Sequence, residues 1–140
     1  LDINGIKSKK LLGKTLLVYL ILSVAAVAFD KIYGIFGHGV ASDAMTWMFL
    51  YPLLGGALFY FTILMFIPHI TKFAGFRAVL NIHNSGIAAL TLASLLKGIF
   101  EIAGTNSIYL VYYYIVGAVF IAAGLAIMLI LAVNKKRIHV

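Results

Sequence analysis

Apolar residues fill four long blocks of this chain, and polar residues gather between them. The blocks run from about Leu11 to Phe29, Met45 to Ile67, Phe76 to Phe100 and Ile108 to Val133. Asp30-Lys31, Pro68-His69 and Asn134-Lys135-Lys136-Arg137 close the first, second and fourth. At about 1.5 Å of rise per residue, each block is long enough as a helix to cross a hydrocarbon core of about 30 Å. Helices are the expected form, because an open sheet would leave backbone N–H and C=O groups unpaired in lipid. The pattern therefore predicts an all-α protein: one domain, residues 1–140, built as an integral membrane four-transmembrane-helix bundle that runs up, down, up, down. Spans one and two do not resemble spans three and four, so no internal duplication is visible.

Local signals refine this picture. The stretch from Asp30 to Asp43 is too apolar for a free loop. Ile32, Tyr33, Ile35 and Phe36 predict a short interfacial segment between spans one and two, with Gly34, Gly37 and Gly39 allowing bends around it. Ser42 or Asp43 is expected to cap span two, and capping is the default role of Asp43. Pro52 withdraws the helix bond to the Met48 carbonyl and predicts a kink, followed closely by Gly55-Gly56. Ser85, Ala89 and Ala93 recur at four-residue spacing, with Ser94 and Gly98 following the same spacing one position on, as do Ala118, Ala122 and Ala126 with Gly117 and Gly124 adjoining. These predict packing seams, between spans three and four or with another copy of the chain. Span three is the most polar and should be the most enclosed. Span one and the Phe59–Ile67 part of span two should face lipid more fully.

Composition supports a lipid environment. The chain is 64% hydrophobic and only 11% charged, against about a quarter charged in soluble domains. With no cysteine, disulfides, thiolate metal sites and thiol redox chemistry are excluded. A net charge of +7 would suggest a nucleic-acid partner in a soluble protein, but its distribution points elsewhere. Nine of the eleven basic residues flank one set of span ends, leaving Lys31 and Lys97 for the other, where Asp30, Asp43 and Glu101 also lie. The positive-inside rule then places both ends in the cytoplasm, N-in/C-in. The cytoplasmic cations are expected to set topology and meet anionic lipids, with no nucleic acid involved. The first apolar run, preceded by lysines and followed by Ala26-Val27-Ala28, has the layout of a cleaved signal. It is read instead as a retained helix. The organisation is that of small multi-pass proteins of bacterial plasma membranes, although no motif is specific enough to assign a family.

Two groups of residues could carry chemistry. Lys97 and Glu101 are four apart and share a helix face, and Lys97 lies about 30 Å along the helix from Arg77. With His38 and Asp43 they form a candidate outer ligand-binding pocket, weighed against a structural ion pair at the interface. Asn81, His83 and Asn84 form a candidate inner polar cluster. His83 is about 9 Å inward from Arg77, a depth at which polar groups face the bundle and need partners. Plain helix-to-helix hydrogen bonding is the competing reading. Bis-histidine haem is disfavoured because His69 and His83 differ in depth. No metal-binding spacing or nucleotide loop is present, and an inner His83–Ser85 pair has no acid on its side but Asp2. No catalytic residue, metal ligand or cofactor is assigned. The expected function is non-enzymatic binding or transport of a small solute or ion. The alternatives are an accessory or assembly subunit, acting as a homo-oligomer or with a partner membrane subunit, and a haem-binding or lipid-modifying enzyme.

Overall fold

The computed structural model describes residues 3–138, leaving aside the side chains of Asn4 and residues 135–138. Asp2 therefore lies outside the described residues, as do the side chains of Lys135, Lys136 and Arg137. Every described element is helical: α1 (Ile3–Phe36), α2 (Asp43–Thr46), a π-helical segment (Tyr51–Leu58), α3 (Phe59–Phe66), a 3₁₀ turn (Pro68–Lys72), α4 (Phe76–Ile102) and α5 (Leu110–Ile138). Four stretches are long and apolar enough to cross a membrane: Gly5–Phe36, Asp43–Phe66, Phe76–Ile102 and Leu110–Asn134.

α1 extends well beyond the block expected from Leu11 to Phe29. Its basic first turns are helical from Ile3, and its far end runs unbroken to Phe36. The separate interfacial segment expected after Asp30 is thus the last turns of α1 itself, because nothing in Asp30-Lys31-Ile32-Tyr33 stops a helix. The break comes at Gly37-His38-Gly39, where His38 and Gly39 take φ values of 52° and 87°. Glycine reaches that left-handed region without strain.

Span two is built in pieces. Ser42 is the N-cap, its hydroxyl accepting from the Met45 N–H at 3.4 Å, and Asp43 sits one position inside the helix. Pro52 cannot donate to the ladder, and the backbone relaxes into the π-helical segment before resuming as α3. Gly55 and Gly56 make this segment close-packed on both sides. A Cβ on Gly55 would collide with the Ile87 side chain, and one on Gly56 with the Tyr19 ring.

The helices form an open row rather than a closed ring. α1 packs on the π-helical segment and α3, both α2 and the π-helical segment pack on α4, and α4 packs along α5. Among the described residues, α5 otherwise meets only the 3₁₀ turn. The seam between α4 and α5 lies one position away from the expected alanine stripe. Gly86 and Gly117 face each other, each placed so that an added Cβ would press the other's carbonyl, while Gly124 meets His83. Ala118, Ala122 and Ala126 lie exposed on α5. Glycine at the crossing lets the two backbones approach more closely than alanine would.

α4, whose polar sequence predicts the most enclosed span, shares the largest buried portion with span two rather than exceeding it, and its buried residues include His83 and Ser94. The lower part of span two is less exposed than expected, since Tyr60 and Ile63 are buried in the main apolar cluster with Leu12, Tyr19, Ile70 and Leu80.

Candidate functional site

Two polar centres are carried by α4, one near each end. At the Glu101 end, a cavity of about 680 Å³ opens between span two, α4 and α5. Its walls bring together Asp43, Lys97 and Glu101, three of the four residues expected in the outer pocket, with Ser42, Trp47 and Tyr114. His38 does not join them. It is exposed in the turn that follows α1 and lies outside the cavity wall.

The cavity's geometry follows from local helix chemistry. Lys97 and Glu101 are one turn apart on α4, with the ammonium 3.8 Å from a carboxylate oxygen. The other Glu101 oxygen accepts from the Ser42 hydroxyl, so the same serine caps span two and ties its start to α4. Ser94 and Tyr114 share a hydrogen bond of 2.9 Å across the seam with α5. Asp43 keeps its carboxylate free of hydrogen bonds and ion pairs among the described residues, because the capping role has gone to Ser42. The other acid at this end, Asp30, is committed elsewhere: it accepts from Thr46 at 3.0 Å and pairs with Lys31 at 3.3 Å. The cavity wall therefore holds two carboxylates, one ammonium and three aromatic residues, Trp47, Tyr51 and Tyr114, an arrangement suited to a small cationic or strongly polar molecule.

The inner trio does not act as one cluster. Asn81 is exposed, while His83 and Asn84 face different neighbours. His83 is 1% exposed and stacks on Phe59 with ring centroids 3.9 Å apart. Its Nε2 lies 2.7 Å from the Gly55 carbonyl of the π-helical segment. Since a carbonyl can only accept, Nε2 carries the proton and donates. Buried Nδ1 has no partner among the described residues. Ligation of haem iron through Nε2 would require breaking the bond to Gly55. Asn84 instead faces α1 and α3. Its Oδ1 accepts from the Tyr19 hydroxyl at 2.8 Å and from the Tyr60 hydroxyl at 2.6 Å, and the two tyrosine rings stack with centroids 5.6 Å apart.

Sequence reasoning placed Ser42 as a cap and Ser94 in a packing seam but brought neither of them, nor Tyr114, to the wall of the outer cavity, and it missed both tyrosines as partners of Asn84. Tyr60 carried a usable signal. It lies in the middle of an apolar block rather than in an interfacial belt, and a buried tyrosine hydroxyl needs an acceptor. No group of three or more His, Cys, Asp or Glu side chains positioned to hold a metal ion occurs among the described residues. No known protein family, curated protein or solved structure matches this chain.

Proposed function

We propose that this chain is a multi-pass membrane protein with both ends in the cytoplasm, and that it binds or moves a small cationic solute through the cavity at its Glu101 end. The supporting observation is the convergence of Asp43, Lys97 and Glu101 on one aromatic-walled cavity of about 680 Å³. A surface ion pair serving only as an anchor would not need that space. Lys97 holds Glu101 in place, and the unpaired Asp43 supplies net negative charge for the incoming cation. Trp47, Tyr51 and Tyr114 offer ring faces to its apolar parts.

The test is binding of tetramethylammonium, or its uptake into vesicles, by the full chain in lipid. Glu101→Ala and Lys97→Ala should each weaken binding or flux while leaving membrane insertion intact, and Asp43→Asn should do so most cleanly, because that side chain has no partner to lose. Wild-type behaviour of all three would remove the basis for the pocket.

A second reading, an assembly subunit, is favoured by one observation. α5 is held almost entirely by α4 and exposes Ala118, Ala122 and Ala126 on its free side. Small residues at this spacing suit close contact with another membrane helix. Recovery of a stoichiometric partner, or of a crosslinked copy, from native membranes would favour this reading over solute binding.

A further inference from the structure

Between α1, span two and α4 lies a second cavity, a sideways-opening groove of about 540 Å³. Val18, Leu22, Phe29, Pro52, Ile87 and Leu92 give it apolar walls, and no charged side chain lines it. Asn84 sits at one end, beside Thr15 and Tyr19. The volume is within the ordinary range for small-molecule sites, about 300–1,000 Å³.

The hydrogen bonds at that end define what can enter. Tyr19 and Tyr60 donate to Asn84 Oδ1 and occupy both of its lone pairs. The Nδ2 group keeps its N–H donors, with no partner among the described residues. Thr15 and Thr91 have turned their hydroxyl protons to the Leu11 and Ile87 carbonyls of their own helices. The groove therefore presents N–H donors from Asn84, while the hydroxyls of Thr15, Thr91 and Tyr19, their protons committed, can only accept. A matching ligand must bring an acceptor oxygen and need not bring a donor.

Charge and depth narrow the chemistry further. A carboxylate or phosphate would enter an apolar groove with no cation to meet it, at a large desolvation cost. Asn84 lies seven residues beyond Arg77, about 10 Å along α4. In the membrane-spanning reading that is below the level of lipid ester carbonyls. A phospholipid would have to drag its ester out of the interface to reach it, whereas a neutral quinone ring dissolves in hydrocarbon and carries acceptor oxygens only.

We propose that this groove binds a quinone-type ligand, a neutral ring with carbonyl oxygens and an apolar tail, through the Asn84 amide. The ring carbonyl accepts from Nδ2, and the tail runs along the groove toward Phe29. This site is separate from the cavity at the Glu101 end and stands or falls independently of it.

The test uses the full chain in lipid nanodiscs with ubiquinone bearing a two-isoprene tail as probe. Saturable one-to-one binding is expected, with the infrared carbonyl band of the bound quinone moved to lower frequency. Asn84→Leu should weaken binding at least tenfold and abolish that band shift. Ala88→Trp, which fills the exposed wall and leaves the tyrosine pair untouched, should block binding while thermal unfolding stays at the wild-type position. Absence of saturable binding to folded wild-type protein would overturn the proposal. So would unchanged binding in Ala88→Trp, or a phospholipid retained in the groove that excess quinone fails to displace.

Discussion

Replacing Gly86 by alanine tests the seam that holds α5 in place. The added Cβ would lie 2.7 Å from Ile121 Cγ1, 2.9 Å from the Gly117 carbonyl oxygen and 2.9 Å from the Ile121 backbone nitrogen. A side-chain end can rotate away, but the two backbone atoms cannot. α5 must withdraw by about half an ångström or more to restore ordinary contact. Over-packing of this kind costs about 1–3 kcal/mol. The upper part of that range is expected here, because α5 has little other packing to fall back on. Gly13→Ala is the matched control, since its Cβ meets nothing within 4 Å. Gly124→Ala should fall between them, its nearest contact being His83 Cβ at 3.1 Å. Reversible unfolding in mixed detergent and SDS micelles, followed by the fluorescence of Trp47 and the tyrosines, would rank the three. Equal stability of Gly86→Ala and Gly13→Ala would refute the claim that this crossing is glycine-dependent.

Further outcomes follow from other contacts. Tyr60→Phe and Asn84→Ala should couple in a double-mutant cycle by about 0.6 kcal/mol, and by no more than about 2 kcal/mol, the range seen for hydrogen bonds between membrane helices; additive effects in the same unfolding assay would mean that the hydroxyl finds another acceptor. Ser42→Ala should destabilise by about 1 kcal/mol through the lost cap, and should also loosen Glu101, read as weaker tetramethylammonium binding; loss of stability with binding unchanged would separate the cap from the cavity. Lys97→Ala should cost less than about 1 kcal/mol in stability, because its ion pair is largely exposed, so a larger loss would mean that the pair is structural. His83→Phe removes the donor to Gly55 and should destabilise by about 1–3 kcal/mol through the orphaned carbonyl; wild-type stability would show that the carbonyl is satisfied elsewhere.

Four apolar blocks of membrane-crossing length were legible directly, because helix rise and hydrocarbon thickness are properties of the backbone and the solvent rather than of any fold. The Lys97–Glu101 pairing was legible for the same reason: residues four apart on any helix are neighbours. Pro52 announced irregular backbone, since a missing N–H acts locally. Tertiary structure alone decided which sides of those helices meet. Gly86 and Gly117, not the alanine stripe beside them, form the crossing, because closest approach depends on helix rotation, and four nearly uniform apolar helices leave that rotation unspecified. The same rotation sent His83 to Gly55 and Asn84 to two tyrosines on other helices, and left Asn81 outside. It also gathered Ser42, Asp43, Trp47 and Tyr114 around Glu101 while His38 turned away with the bend after α1. These positions are far apart along the chain, and their meeting depends on packing that periodicity does not encode.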